Sequence, residues 1–130
     1  MSDDFAIVDY TDVEAEPFTE SAVEHRKLTD HLGATEMRVN AVELDPGEVL
    51  DPHAHERQEE IYVAVTAGQV AIEGEIHDIP EGGVVRFGPD PVRGLCNHTD
   101  ETHVWTLFGA PPVDTVENFG EYVMPDESDR

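Results

Sequence analysis

Gly47-Glu-Val-Leu-Asp-Pro-His53-Ala-His55-Glu-Arg-Gln-Glu59-Glu60-Ile-Tyr-Val-Ala-Val-Thr-Ala-Gly68 is the stretch whose reading decides the fold. Two histidines at i and i+2 fall on one face of a β-strand, because strand side chains alternate. A carboxylate just downstream completes a three-ligand metal set if the groups meet inside a barrel. Alternation through the valine-rich run puts Glu60, Tyr62 and Ala64 on one face, and Glu59, Ile61, Val63 and Val65 on the other. A cavity with polar chemistry takes the first set, which favours Glu60 over Glu59 as the ligand.

Working outward, valine outnumbers leucine and isoleucine together, which favours strands. Gly and Pro signals cut the chain into short pieces. Strands are expected over Phe5–Asp9, Glu36–Leu44, Glu60–Thr66, Gln69–Glu73, Glu75–Ile79, Val84–Phe87, Val92–Asn97 and His103–Phe108. Ser21-Ala-Val-Glu24 has the spacing of a capping box, and Gly33 suits the end of a short helix through Leu32. Many short strands with turn residues between them predict an all-β sandwich or barrel, and closing the sheet removes exposed edges. The whole reads as one domain in three parts. Residues 1–35 carry a first strand and the helical segment, 36–112 form the barrel, and 113–130 are an irregular acidic end.

The residues around His53 resemble the first motif of the cupin superfamily, whose members are small jelly-roll β-barrels. That motif runs Gly, five residues, His-x-His, three or four residues, Glu, six residues, Gly. Here Gly47, His53, His55 and Glu60 follow it, and Gly68 closes it one residue late. A β-bulge absorbs one extra residue. The second motif runs Gly, five residues, Pro-x-Gly, two residues, His, three residues, Asn. Gly82 and Asn97 bracket it at the right separation, but Gly88, Asp90 and Arg93 replace its Pro, Gly and His. The chain looks like a small, haloarchaeal-like single-domain cupin with a jelly-roll barrel and one short helix near the N-terminus.

The resemblance implies a divalent metal (Fe, Mn, Zn or Ni) held by His53, His55 and Glu60. Two histidines and a carboxylate suit non-haem iron, and zinc sites also use three protein ligands. Arg93 stands where a fourth ligand is expected, and three readings are open. Arg93 anchors an anionic substrate beside the metal; or it pairs with Glu60 and takes over the charge role of the ion; or it points outward and His98 or, better placed on the next strand, His103 completes the site. Tyr62 is a candidate proton or hydrogen-bond donor, and Trp105 a candidate wall of the substrate pocket. His25, His31, Arg38 and Arg57 read as surface groups, and Arg86 as half of a surface ion pair. The function implied is a metal-dependent cupin acting on a small, anionic organic molecule by a dioxygenase-type, isomerase or lyase route. The alternative is a metal-free small-molecule-binding or structural barrel. A homodimer is expected from the resemblance alone.

Composition limits the partners. Thirty acidic residues against seven basic ones give a formal net charge of −23, which repels nucleic acid and anionic membranes. The acids are spread from Asp3 to Asp129 without a long block, which favours adaptation to a salty cytoplasm over a single basic partner. One cysteine, Cys96, allows no intrachain disulfide and fits a reducing cytosol. No signal peptide and no membrane-spanning run are expected. In molar salt the Debye length falls to about 3 Å, so self-repulsion is screened. Circular dichroism should therefore show structure gained between dilute buffer and multimolar KCl; equal stability in both would remove the halophile reading.

Overall fold

The computed structural model describes residues 5–17, 23–54 and 57–112. In chain order the elements are β1 (Glu16–Pro17), β2 (Glu24–Lys27), α1 (Thr29–Leu32), β3 (Arg38–Leu44), β4 (Val49–His53), β5 (Glu59–Ala64), β6 (Gly68–Ile72), β7 (Glu75–Ile79), β8 (Val84–Phe87), β9 (Arg93–Cys96) and β10 (His103–Ala110). They form two antiparallel sheets, one ordered β1-β2-β3-β10-β5-β8 and the other β4-β9-β6-β7. This is the all-β arrangement expected from the strand pattern, in the jelly-roll form that the resemblance implies.

Register sets which side chains enter the barrel. In the central ladders Val42 lies opposite Trp105, Trp105 opposite Ala64, and Tyr62 opposite Leu107. In the other sheet Val70 lies opposite Leu95. All of these sit in one buried cluster with Val23, Leu44 and Phe87. The alternation is clearest along β10, where every second residue from His103 is buried. A second, smaller cluster of Val13, Leu28, Val39 and Ala41, with Val8 and Tyr10 against it, covers the outer face of β3. The edge strand β7 exposes four consecutive residues from Glu75 to Asp78. Polar and charged side chains on such an edge oppose pairing with another chain.

The motif residues have backbone reasons. Gly47 has φ +87, and its N–H donates to Asn97 O at 2.8 Å, while Asn97 N–H returns a bond to Glu48 O at 3.0 Å. The first residue of one motif and the last of the other are thus tied together. Asn97 Nδ2 also donates to Leu44 O and Glu101 O. The additional residue between Glu60 and Gly68 is taken up just after β5. Val65 and Thr66 N–H both donate to Val104 O, two residues opposite one, as in a bulge.

The N-terminal region differs from expectation. Phe5–Asp9 forms no strand; Asp9 instead caps a 3₁₀ turn at Tyr10–Asp12, accepting from Thr11 N–H at 2.9 Å. Val8 and Tyr10 pack on the outer cluster, so this segment covers a face rather than extending an edge. The expected helix shrinks to the single turn α1, closed by Gly33 at φ +70. Glu24–Lys27 pair with β3 instead; Ser21, the first residue of the capping box, lies outside the described residues. Strand pairing brings His25 opposite Val42 and buries it, which corrects its surface reading. Burial, with Lys27 nearby, pushes its pKa down to about 4 against the opposing pull of Glu16, so the ring is neutral at pH 7.

Gly68 is required by Trp105. A Cβ there would lie 2.6 Å from the indole Cζ2. Gly68→Ala should therefore destabilise the barrel by about 1–3 kcal/mol through overpacking, read as a lower urea midpoint. An unchanged midpoint would contradict the close approach.

Candidate functional site

Four polar side chains meet at one end of the barrel, two from each sheet. His53 on β4 and Arg93 on β9 are direct register partners, so they share the inner face of the four-stranded sheet. Glu60 and Tyr62 on β5 share the inner face of the six-stranded sheet by the alternation that exposes Glu59. The strand β4 is an edge of its sheet, which is where a ladder accommodates Pro52. Its register shifts between Leu50 and His53, and His53 is directed inward after this irregularity.

Arg93 is the centre of the group. It is 0 % exposed. Its Nε and Nη2 both donate to Glu60 Oε1, at 3.0 and 2.8 Å. Its Nη1 faces three carbonyl oxygens, of Gly88 at 3.0 Å, Pro89 at 2.9 Å and Pro91 at 2.7 Å. The guanidinium also lies over the Phe87 ring, 5.1 Å from its centroid. The loop between β8 and β9 thereby forms a carbonyl cradle for one end of the guanidinium, and a carboxylate holds the other. Such charge-assisted bonds offset the desolvation of a buried ion.

Tyr62 OH donates to the same Oε1 at 3.1 Å. Burial raises the Tyr62 pKa well above its usual value, and the Glu60 charge adds to this while Arg93 opposes it. Tyr62 is thus a neutral hydrogen-bond donor at physiological pH, with its ring edge-on to Phe87 and Trp105. His53 Nε2 stands 3.8 Å from Glu60 Oε1, just beyond hydrogen-bond length.

The other expected site residues divide. His55 lies outside the described residues. His103 does not join the group: it pairs with Leu44, six residues along β10 from Gly109, the residue opposite Glu60. At strand rise that is roughly 20 Å. Its Nε2 sits 2.9 Å from Thr99 Oγ1 instead. The outward orientation considered for Arg93 is excluded by its burial. Trp105 is fully buried in the core cluster, one row of side chains beyond Tyr62. Arg86 pairs with Glu59 on the outer surface.

Two residues were missed. Arg38 is only 4 % exposed, not a surface charge, and it lies opposite Gly109, which lies opposite Glu60. It shares the parity of Val42 and Leu44, a signal present in the sequence. Gln58 is buried and donates through Nε2 to Pro111 O at 3.3 Å.

A resident divalent ion is the group the motif implies, and the described residues do not fit it as they stand. An ion bound to Glu60 would lie roughly 5 Å or less from the Arg93 guanidinium, a repulsion on the order of 6 kcal/mol at an effective dielectric of about 20. Among the described residues, no three His, Cys, Asp or Glu side chains group around a common point for a metal.

No family model and no curated protein matches the chain. Solved structures do. A sugar phosphate isomerase of the cupin superfamily from Silicibacter pomeroyi is 21% identical, with a TM-score of 0.68 over 80% of this chain and 74% of that one. KdgF from Halomonas sp. is also 21% identical, with a TM-score of 0.67 over 84% and 96%. A protein with a double-stranded β-helix domain from Klebsiella pneumoniae is 16% identical, with a TM-score of 0.70 over 92% and 97%. The chain therefore has the cupin-type jelly-roll fold.

Removing one half of the central pair leaves the other charge buried. Arg93→Met should lower stability by about 3–5 kcal/mol, and adding Glu60→Leu should restore most of it. Urea unfolding in high KCl measures both. A loss under about 1 kcal/mol for Arg93→Met, the range of a surface pair, would mean the guanidinium is not buried against Glu60.

Proposed function

We propose that this protein is a metal-independent cupin whose barrel binds a small organic molecule beside His53, Glu60 and Tyr62. Arg93 supplies the positive charge that an ion would bring. The observation that carries this reading is the double donation from Arg93 Nε and Nη2 to Glu60 Oε1. The third guanidinium nitrogen is engaged by backbone carbonyls. In this reading Arg93 acts as a fixed internal cation rather than as a substrate anchor.

The chemistry open to such a site is acid–base chemistry. Glu60 offers a carboxyl group held by Arg93, Tyr62 offers a neutral O–H, and His53 supplies a buried imidazole. Isomerase or lyase reactions that move a proton need no more than these groups. A sugar phosphate isomerase among the similar structures is in keeping with that class. A dioxygenase-type route needs an ion, which the guanidinium opposes.

The metal-dependent reading retains one supporting observation: His53 and Glu60, both in the motif, approach to 3.8 Å. The two readings separate by elemental analysis of protein purified in high salt without chelator. The expected metal content is below about a tenth of an equivalent, unchanged by His53→Ala, with Arg93→His raising it. A full equivalent in the natural protein, lost on His53→Ala, would establish the metal site instead. We also propose a cytoplasmic homodimer, for which exposed apolar residues such as Val84 on the edge strand β8 give contact surface. The acidic surface argues against nucleic acid and membranes as partners.

A further inference from the structure

The segment between β9 and β10, residues 97–102, lies at the end of the barrel remote from Glu60, since His103 begins β10 and Gly109, opposite Glu60, nearly ends it. It ties several elements together. Asn97 Nδ2 donates to Leu44 O at the end of β3, and Thr102 Oγ1 donates to Asp45 Oδ1 in the turn that follows. Gly47 N–H and Glu48 O hold the Asn97 backbone from the other side. Thr99 is the hub of the segment. Its hydroxyl oxygen lies 2.7 Å from Asn97 Oδ1, 2.9 Å from His103 Nε2 and 3.3 Å from Glu101 N.

These contacts decide the tautomer of His103. A hydroxyl has one proton to give. Asn97 Nδ2 is committed to Leu44 O and Glu101 O, so Oδ1 faces Thr99 as an acceptor. The shortest contact therefore takes the Thr99 proton. His103 Nε2 must then carry a hydrogen and donate it to Thr99 Oγ1, which leaves Nδ1 bare. His103 is 4 % exposed, and its Nδ1 has no hydrogen-bond partner. A second proton would make that nitrogen a buried, charged donor without an acceptor, which is the costly case.

We propose that His103 is an acid-operated latch, which holds residues 97–102 closed on the barrel end while neutral and releases them when protonated. This does not depend on whether a metal or a small molecule binds near Glu60. The ionisable groups around the latch are few. Glu101 lies in the segment itself, with His98 and Asp100 exposed on it. Asp45 and Glu48 flank the β3–β4 turn, and Cys96 on β9 keeps a thiol whose pKa burial raises. The residue opposite His103 on β3 is the apolar Leu44. Burial holds the His103 pKa below its ordinary value, against the Cys96 carbonyl and the Glu101 charge, which favour the protonated ring. The folded state thus binds this proton less readily than the unfolded chain. The latch is at full strength above the ordinary histidine value of about 6.5 and weakens as pH falls below it. His25 works in the same direction from another part of the fold, with its pKa at about 4.

Nuclear magnetic resonance of the full chain in high KCl, labelled with nitrogen-15, tests this. At pH 7 His103 should be the Nε2–H tautomer, and it should take its second proton only below about pH 6.5. The Thr99 N–H ends on Asn97 Oδ1 and the Glu101 N–H on Thr99 Oγ1. Their protection from hydrogen exchange, corrected for the intrinsic rate, should fall about tenfold as the ring is protonated, while the amides of β5 keep theirs. His103→Gln keeps a side-chain N–H for Thr99 and does not titrate, so protection at Thr99 and Glu101 should then persist at the lower pH. An Nδ1–H tautomer, a ring that titrates at or above about 6.5, or the same acid loss of protection in His103→Gln overturns the latch. The tautomer and the titration are read on the natural protein, so they decide the matter even where the variant does not fold.

Discussion

The buried contact between Arg93 and Glu60 is the constraint on which the rest of this structure depends. It joins the two sheets, since Glu60 belongs to the six-stranded one and Arg93 to the other. It gives Tyr62 its partner, since the hydroxyl donates to the same carboxylate oxygen. It also fixes the path of the chain between β8 and β9, because three carbonyls there converge on one nitrogen. A protein that uses a metal at this point relies on an exchangeable centre. In the metal-independent reading proposed above, the centre is covalently part of the chain, so its charge does not depend on supply or on chelators.

Much of the fold was legible in the sequence. The short strands from Arg38 onward, apart from β4, come from alternation and from Gly and Pro punctuation, and β7 and β8 have the boundaries the sequence suggests. Inward placement of Glu60 and Tyr62 follows from period-two alternation alone. The N-terminal third was less legible. Its helix and strand signals were local, whereas its structure is set by pairing with β3 and by packing on the outer face of the sheet. Tertiary context overrode a capping-box spacing that is only a weak prior. The candidate site was half legible. Motif spacing identified His53, Glu60 and Arg93, but not whether Arg93 faces a ligand or a carboxylate. That choice is made by the β8–β9 loop, whose carbonyl directions no residue pattern records. Arg38 was overlooked because a charge was taken as a surface residue in spite of its parity.

The charge distribution has two scales. The surface is strongly acidic and suits screening by salt. Inside the barrel the balance reverses locally, with Arg38 buried on the sheet that carries Glu60 and Arg93 buried on the sheet facing it. Screening ions act mainly on exposed charges, and buried pairs are screened much less. The interior electrostatics are thus less sensitive to ionic strength than the surface charges.

Trp105 is the only tryptophan in the chain. It is wholly buried, with its ring centroid 6.3 Å from that of Tyr62. The indole emission of this protein therefore comes from a single position in the barrel interior, next to a residue of the polar site. Its colour reports how dry that interior is, and its quenching reports what happens at Tyr62, without any label. The packing that makes Gly68 indispensable also gives the molecule a built-in optical reporter of the state of its own site.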